Sequence, residues 1–586
     1  MSDARGAASL LQRTLPAPAT ETEPTLYERR ADGATTYDTA FGAFHLGRWR
    51  RLTDVGRLAV AVDAPGAHRV EVVAVAARRG PRPRRREWVA AAADLRDGAA
   101  TLELGDVRGP GLRRAGVLWL RILGGDESRL REARWTTDAP GREVRLALSI
   151  TTFRREDYVL PTIRRVLALV AAEPALRGTT RLVVVDNARS LRVDAPADAP
   201  LEVVPNPNLG GAGGFARGLM HARERGWATH VVFMDDDISL EPEALVRTMG
   251  LLRHARDPRL CVHGAMLSEE RRWMQFEAGS RYRWRSLYPL RAIGREDDLR
   301  ERRLAVRDAR ERRFAYTAWW FTAFPVWLTR DYPLPVFVRG DDVGFGLMHT
   351  GRHTVTLNGV VVWHADFGLK NNPSSLLYEK RNFAIIDTLV FGRHRWWHLA
   401  RRFVALCFRN LFSFRYASTE YMIRGMRAYL AGPGHLAALD HGAFHDEIRV
   451  VAEERPRPLD AALSAVPRSR PLPKVVRLVG FLLAVPLLGG YLLPRALRSG
   501  RLRTAPIDSR AVGLAVRHDR ILYRHDRLDE GFVCERDRRR FFLLLGEVAR
   551  VVVDLARHSR RVRREWRAAY PTLVGADAWR RRFAGV

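Results

Sequence analysis

The chain has 586 residues, 46% of them hydrophobic and 9% aromatic, which is enough for about three globular domains that each bury a core. Lysine and arginine number 98 against 66 acidic residues, a formal net charge of +32. The excess favours polyanionic partners, but the basic segments carry no nucleic-acid-binding motif, so we do not expect DNA or RNA. Cys261, Cys407 and Cys534 form no metal-spaced pair, and the N-terminus lacks a signal-peptide pattern, which predicts a reducing cytoplasm.

The first part of the chain predicts a tail followed by an all-β module. Residues 1–30 are rich in Ala, Pro, Thr and Glu without periodicity, and we predict a flexible tail there. Within residues 31–142, short alternating runs are separated by Gly, Pro and Asp-rich turns, which indicates a β-sandwich or jelly roll. The runs lie at 58–62, 70–75, 100–104 and 117–122. We expect an accessory module for glycan binding or assembly, with pure scaffolding as the alternative.

From Val144 onward the pattern changes to alternating strands and helices. Residues 144–151 predict a buried strand, followed by a cationic loop (TTFRR, 151–155) and a helix over 157–172. A second strand at 181–187 ends in Asp186 and Asn187. Polar residues at the ends of such strands are typical of a nucleotide-binding α/β layer, although Asp186 could instead cap a helix.

A glycine-rich run follows at 206–217 (NPNLGGAGGFAR) and predicts the start of a helix that extends to about Arg225. Glycine lets the backbone approach a ligand closely, and a helix start offers free N–H groups to an anion. The run lacks the Lys-Ser/Thr ending of a phosphate loop and does not follow the first strand as a dinucleotide fingerprint does. Alone, it is a weak indication of function.

The strongest signal is the sequence VVFMDDDI at 231–238, in which an apolar run leads into Asp235, Asp236 and Asp237. It predicts a buried strand that delivers acids to its carboxyl end, where open α/β sheets bind ligands. Adjacent carboxylates repel one another unless a cation or basic partner is present. On a strand Asp235 and Asp237 point to the same side, so they could share a divalent metal ion and a diphosphate. The alternative is a solvated acidic turn.

These features, in this order, resemble the inverting glycosyltransferases of family 2, which have the GT-A fold. The residues that carry the resemblance are TTFR at 151–154, VDN at 185–187, the glycine run and the acidic triplet. The resemblance implies a GT-A domain over residues 143–395 that binds a nucleotide-diphospho-sugar. The donor-binding residues it implies are Arg154, Asp186, Asn208, Gly211, Asp235 and Asp236, with Asp235 and Asp237 as ligands of Mn²⁺ or Mg²⁺.

A second group of candidate residues lies further along the chain. Residues 335–342 (PVFVRGDD) end in two acids; by resemblance, Asp342 is the base that deprotonates the acceptor and Asp341 binds the acceptor. Asp341 could instead cap a helix. Trp319 and Trp320 could stack on an acceptor sugar, although paired tryptophans are as often core. His364 ends an apolar run (VVVWH, 360–364) and fits a third metal ligand.

Within the family, the chain is most similar to the actinobacterial galactofuranosyltransferases of cell-wall galactan synthesis. The similarity rests on WW at 319–320, DD at 341–342, WH at 363–364 and YEKRN at 378–382, whose cations could face the leaving diphosphate. It implies UDP-galactofuranose as donor. Arg339 and Gly340 replace an aromatic-bearing segment expected before the acidic pair, which leaves the acceptor open.

Residues 396–586 predict a helical, basic region with helices at 396–414, 419–430 and 539–570. The apolar stretch 478–493 is shorter than the ~20 residues of a bilayer span. Because basic residues flank it, we predict a contact with an anionic membrane surface, with a buried core helix as the alternative. The helix that contains FFLLL at 541–545 and RRVRR at 560–564 suits the same surface, or is simply solvated.

The sequence as a whole therefore predicts a multi-domain α/β protein with a GT-A core, an N-terminal β-sandwich and a C-terminal helical region. We expect metal-dependent, inverting transfer of galactofuranose to a lipid-linked or cell-envelope glycan at the cytoplasmic face of the membrane, and a homo-oligomer remains open. The alternatives are transfer of another sugar, such as rhamnose, or a catalytically inactive glycan-binding or scaffold protein. The missing phosphate-loop lysine disfavours phosphoryl transfer.

Overall fold

The computed structural model describes residues 8–19, 21–76, 87–125, 128–307, 314–365, 372–392, 395–450, 453–468, 474–507, 509, 511–525 and 528–585, with the side chains of 474, 476–478 and 481 outside the description. Along the chain, these residues form an antiparallel two-sheet unit, a mixed ten-stranded sheet with helices, and a helix-rich part with a small sheet. Apolar side chains of all three parts belong to one continuous core.

The two-sheet unit is made of β1 (Ser9–Thr14), β2 (Arg29–Ala31), β3 (Ala34–Thr36), α1 (Leu46–Leu52), β4 (Arg57–Asp63), β5 (Ala67–Ala76), β6 (Glu87–Asp94), β7 (Ala99–Asp106), β8 (Ala115–Gly124) and β9 (Glu132–Thr137). One sheet has the order β1-β9-β4-β7 and the other β2-β3-β8-β5-β6. The four predicted strand runs lie within β4, β5, β7 and β8 and are confirmed. In β4 the alternation buries Leu58, Val60 and Val62.

The prediction of a flexible tail over residues 1–30 is wrong for Ser9–Thr14, because these residues form β1. This strand pairs antiparallel with β9, and the helix Glu243–His254 covers its other side so closely that a Cβ on Gly250 would lie 2.9 Å from the carbonyl oxygen of Leu11. Leu10 and Leu11 are buried. A strand covered on both faces shows no alternation, so the sequence pattern gave no signal.

The central sheet and its helices follow in the order β10 (Leu146–Thr152), α2 (Glu156–Ala172), β11 (Thr180–Asp186), β12 (Leu201–Pro205), α3 (Gly210–Arg225), β13 (His230–Asp235), β14 (Ile238–Leu240), α4 (Glu243–His254), β15 (Cys261–Ser268), β16 (Met274–Glu277), β17 (Ser280–Tyr282), β18 (Leu290–Ala292), β19 (Asp297–Asp298), α5 (Arg302–Ala305), β20 (Thr322–Pro325), α6 (Asp341–Phe345), β21 (Thr354–His364) and α7 (Pro373–Val390). The sheet order is β12-β11-β10-β13-β20-β15-β16-β19, with β21 beside β15 and β14. The first four strands are parallel, as the α/β pattern predicted. β17 and β18 form a separate hairpin.

Glycines in α3 bring this helix unusually close to the central strand β10. A Cβ on Gly214 would lie 2.0 Å from Thr151 Cγ2, and one on Gly218 would lie 1.9 Å from Ser149 Oγ. No larger residue fits at either position without moving the helix. Part of the glycine-rich sequence therefore serves helix packing, and this packing fixes the N-terminal end of α3 above the strand ends.

A buried network of charged residues attaches the two-sheet unit to the central sheet. Arg13 on β1 donates to Glu243 at the start of α4 (Nε to Oε1, 2.5 Å) and lies 3.2 Å from Glu173. Arg247, fully buried on α4, donates to the carbonyl oxygens of Arg13 and Asn358. Removing one partner of such a network leaves an uncompensated buried charge. The two-sheet unit is thus fixed to the central sheet.

The C-terminal part is mixed, which corrects the prediction that it is helical throughout. Its elements are α8 (Trp396–Leu411), α9 (Tyr416–Leu430), α10 (Pro433–Ala438), α11 (His441–Arg449), β22 (Arg457–Pro458), α12 (Ala461–Ser464), α13 (Lys474–Ala484), β23 (Arg503–Pro506), α14 (Val512–Ala515), β24 (Arg520–Arg524), β25 (Glu530–Glu535), α15 (Arg538–Val574) and α16 (Ala576–Ala584). The last four strands form a sheet of order β22-β25-β24-β23. The three predicted helices correspond to α8, α9 and α15.

Helix α13 exposes most of the apolar side chains that the structure describes on it, which argues against a buried core helix there, although Ala484 and Tyr491 of the stretch 478–493 are buried. Gly480 packs against Gly513 of α14, while Val475, Leu482 and Leu483 on α13 are 71%, 60% and 53% exposed. Within the described ranges, every helix is too short or too polar to cross a membrane.

Candidate active site

Parallel pairing collects the first group of candidate residues at one edge of the sheet. In the register of the strands, Thr152 at the end of β10 is opposite Asp186 at the end of β11, and Thr151 is opposite Asp235 at the end of β13. The carboxyl ends of these strands therefore lie side by side. This edge is where open α/β sheets bind their ligands.

The acidic triplet has a basic partner, Arg155, in the loop after β10. Arg155 Nη1 lies 2.9 Å from Asp236 Oδ1 and 2.9 Å from Asp237 Oδ2. Thr152 Oγ1 donates to the other oxygen of Asp236 at 2.8 Å. Burial raises the pKa of Asp236 above its ordinary value, and Arg155 opposes this effect. Both oxygens of Asp236, predicted to bind the donor, are thus held within the protein, and the sequence reading assigned no role to Arg155.

Asp237 and His364 lie together, as predicted for two metal ligands. β14 pairs with β21 so that Ile238 is opposite His364, and His364 Nε2 is 3.4 Å from Asp237 Oδ1. His364 Nδ1 donates to the carbonyl oxygen of Ala365 at 2.6 Å. In a neutral imidazole Nε2 then carries the lone pair, which is the arrangement found in histidines that bind metal ions.

The predicted set of three metal ligands is nevertheless not assembled as a set. Across the described ranges, no three His, Cys, Asp or Glu side chains are grouped so that they could hold a metal ion. Asp237 and His364 are paired, and Arg155 provides positive charge beside Asp237. The charge of Asp235 instead raises the pKa of Asp341. The pair Asp237–His364 fits a divalent cation that takes its other ligands from a bound molecule.

The second acidic pair meets the first group across the glycine run. Asp341 Oδ2 would lie 3.5 Å from a Cβ on Gly211. Burial raises the pKa of Asp341 well above its usual range, and the charges of Asp342 and Asp235 raise it further. Acids more than one hundred positions apart in the sequence therefore share one electrostatic environment at the start of α3.

Asp342 is half-buried and has a perturbed pKa. Burial raises its pKa from 3.8 to about 6, while the Val343 N–H, which donates to Oδ1 at 2.7 Å, and Arg339 lower it. Nearby Glu277 is buried, and burial together with the charge of Asp342 raises its pKa to about 7 against a hydrogen bond from Ser280. Glu277 stands alone on a short strand without a motif, so the sequence analysis did not single it out.

The remaining predicted donor residues surround the glycine run. Asp186 accepts hydrogen bonds from Ala188 N (Oδ1, 2.9 Å) and Leu191 N (Oδ2, 2.7 Å), so it shapes its own loop. Asn208 Oδ1 accepts from Gly210 N at 3.3 Å. Arg154 is exposed, with a φ of 52°. Their contact with a donor remains a prediction.

The prediction that Trp319 and Trp320 stack on an acceptor sugar is wrong. Trp319 is buried among aromatic rings, with its centroid 4.9 Å from those of both Phe215 and Phe233. Trp320 is buried as well, and its Nε1 donates to the carbonyl oxygen of Gly264 at 2.8 Å. An enclosed ring has no face to offer a ligand, so both tryptophans belong to the core.

The cations of the YEKRN motif do not face a diphosphate either. Arg381 is buried and donates to the carbonyl oxygen of Val336 and to Asn382 Oδ1. Lys380 is buried beside Glu379, 2.6 Å away. The helix α7 that carries them begins at Pro373, five residues before the motif. Arg381 thereby holds the segment that precedes the acidic pair.

A Rossmann-like sheet with a glycine-opened helix and two converging acidic groups is the arrangement of the GT-A fold. Residues 143–388 match the family described as "Glycosyltransferase like family 2", and the protein is a glycosyltransferase.

Among named proteins, the chain is similar to galactofuranosyltransferase GlfT2 of Mycobacterium tuberculosis, at 26% identity over 94% of this chain and 90% of the relative. The enzyme of the same name from Mycolicibacterium smegmatis is also 26% identical, over 94% of this chain and 88% of its own length. Among solved structures, glucosyl-3-phosphoglycerate synthase from Mycobacterium tuberculosis, crystallised with Mn²⁺, UDP-glucose and phosphoglyceric acid, superposes with a TM-score of 0.28 at 13% identity, over 43% of this chain and 79% of that one.

Proposed function

We propose that the protein transfers galactofuranose from UDP-galactofuranose, with inversion, to a lipid-linked or cell-envelope glycan. The observation that carries the proposal is the convergence of Asp235 and the pair Asp341–Asp342 beside Gly211. One acidic group then faces the donor and the other faces the acceptor. The name of the GlfT2 relatives supports the sugar.

In this proposal Asp342 is the general base. With a pKa of about 6, it is ionised at neutral pH yet basic enough to accept a proton from an acceptor hydroxyl. The Val343 N–H donates to Oδ1, which fixes the side chain that would accept that proton. Asp341, its neighbour in the chain, and Glu277, whose pKa the charge of Asp342 raises, would suit hydrogen bonds to neighbouring hydroxyls of the acceptor.

Asp237 and His364 would hold Mn²⁺ or Mg²⁺, with oxygens of the donor diphosphate as further ligands. When bound, the cation would neutralise the charge that develops on the leaving diphosphate. Arg155, paired with Asp236 and Asp237, keeps the acidic triplet together before the donor arrives. Asn208 and the N–H groups at the start of α3 would meet the same diphosphate.

A panel of nucleotide sugars tests the proposal and separates it from its alternative. Purified protein is incubated with UDP-galactofuranose, UDP-glucose, UDP-galactose and dTDP-rhamnose, each with a galactofuranoside or rhamnoside acceptor, and the product linkage is determined by NMR. We expect transfer from UDP-galactofuranose with inverted configuration at the anomeric carbon. Transfer from dTDP-rhamnose alone would establish the rhamnosyltransferase alternative, and no transfer at all would favour a scaffold role.

We also propose that the exposed side of α13 contacts an anionic membrane. Leu482 and Leu483 offer apolar surface, and the following segment exposes Leu492 and Leu497 together with the cations Arg495 and Arg501. Apolar side chains next to arginines match the boundary between acyl chains and anionic headgroups.

Vesicle sedimentation tests this contact. We expect binding to phosphatidylglycerol vesicles but weak binding to phosphatidylcholine, and loss of binding in Leu482→Glu/Leu483→Glu. Val553→Glu on α15, an exposed apolar position elsewhere, is the matched control and should still bind. If the double variant instead changes only the oligomeric state in light scattering, α13 is a contact between subunits.

A further inference from the structure

The segment directly before the acidic pair has an unusual backbone. Phe337 and Arg339 have φ angles of 73° and 66°, and Gly340 follows with 94°. Residues with a Cβ rarely adopt the left-handed region, because the Cβ then crowds the neighbouring carbonyl oxygen. Two such residues so close together persist only where the surrounding structure holds them.

Two buried side chains of α7 donate hydrogen bonds that hold this segment in place. Asn382 Nδ2 donates to the carbonyl oxygens of Val338 (2.9 Å) and Arg339 (2.6 Å). Arg381 Nη2 donates to the carbonyl oxygen of Val336 at 2.7 Å, and its Nε donates to Asn382 Oδ1 at 2.8 Å. The carboxamide of Asn382 is thus oriented by Arg381, with both of its N–H groups used on the strained segment.

The opposite side of the segment touches the glycine run. Ala212 N donates to the carbonyl oxygen of Phe337 at 3.0 Å, and a Cβ on Gly210 would lie 2.3 Å from that same oxygen. The segment is therefore held between α7 and the N-terminal end of α3. Helix α6, which carries both acids, has only five residues and cannot set their direction alone.

We propose that Asn382 is a positioning residue of the transfer reaction: it fixes residues 336–340 so that the Asp342 carboxylate faces the acceptor hydroxyl. The inference rests on the proposed function, because it takes Asp342 as the base. Asn382 is fully buried and lies behind the segment, so it acts on the chemistry only through the backbone it holds. A misplacement of about 1 Å at such a base costs about 100-fold in rate.

The test compares Asn382→Ala and Asn382→Asp with the wild type, using the donor and acceptor that support transfer in the nucleotide-sugar panel. Asp keeps the size of Asn but replaces the N–H donor with an acceptor, which would repel the two carbonyl oxygens. For both variants we expect a kcat about 100-fold lower, with the KM for the donor and the calorimetric affinity for UDP within about threefold of wild type. Hydrogen exchange at residues 336–343 should be faster.

Asn410→Ala is the matched control. Asn410 is also a buried helical asparagine, but it lies on α8, where its Nδ2 contacts Met422 Sδ at 3.1 Å. We expect it to lower the melting temperature without changing kcat or exchange at 336–343. Wild-type kcat in both Asn382 variants, or an equal loss of kcat in Asn410→Ala, would overturn the proposal. If the wild type transfers no sugar, the proposed function fails. Unchanged hydrogen exchange at residues 336–343 in the Asn382 variants would independently refute the claim that Asn382 fixes this segment.

Discussion

Replacing Asp342 with Asn should abolish transfer and at the same time stabilise the protein. The substitution keeps an Oδ1 that accepts the Val343 N–H and keeps the volume of the side chain. It removes the charge that burial disfavours. Loss of a general base costs about 10²–10⁴-fold in rate, whereas donor affinity should stay nearly unchanged.

The stability effect follows from the pKa. A value of about 6 in the folded protein against an ordinary 3.8 corresponds to about 3 kcal/mol, at about 1.4 kcal/mol for each unit of pKa. Because the folded pKa is the higher one, the folded state binds more protons between pH 4 and 6, so stability falls as pH rises through this window. Since Asp341 shares the same surroundings, about 3 kcal/mol is an upper value for Asp342 alone.

The assay is thermal unfolding of wild type and Asp342→Asn between pH 4 and pH 8, with transfer measured at pH 7.5. We expect a melting temperature for the variant that is several degrees higher at pH 7.5, with the gain shrinking towards pH 4, where the wild-type carboxyl is protonated. The activity of the wild type should rise with pH through about 6. Retained turnover would refute the reasoning. So would a gain in melting temperature over wild type that is smaller at pH 7.5 than at pH 4.

Four further substitutions, at three positions, test other parts of the account. Arg155→Leu leaves Asp236 and Asp237 without their shared cation, so we expect a loss of about 1–3 kcal/mol of stability that Mn²⁺ partly restores; equal melting temperatures would contradict this. Asp237→Ala should weaken UDP binding in the presence of Mn²⁺ by calorimetry, and an affinity indifferent to both EDTA and the substitution would count against the metal assignment. Trp319→Ala should cost about 3–5 kcal/mol as a core truncation, whereas Trp319→Phe should keep the acceptor KM; a large rise in that KM would restore Trp319 as an acceptor contact.

The sequence predicted those features that depend on local pattern. Alternation located β4 and β8, and the apolar run into acids located β13, because each element shows its burial in its own residues. Asp237 and His364, expected as ligands of one metal ion, lie 3.4 Å apart, and their binding of a metal ion remains a prediction.

The features that the sequence could not predict depend on contacts between distant residues. β1 was missed because its cover comes from α4, more than two hundred positions later. Tryptophan is a residue type that often stacks on sugars. Only the packing of Trp319 against Phe215 and Phe233 shows that its ring is enclosed in the core. Likewise, Asn382 ends the YEKRN motif, but the motif does not show which carbonyl groups its side chain meets.

The most direct test is a crystal structure of the protein with UDP and Mn²⁺. We expect the diphosphate between the start of α3 and the pair Asp237–His364, with Asp341 and Asp342 facing the same cavity on the other side of the sugar position. A nucleotide bound on another surface, or acids 341 and 342 turned away from it, would contradict the central claim that the two acidic groups form one site.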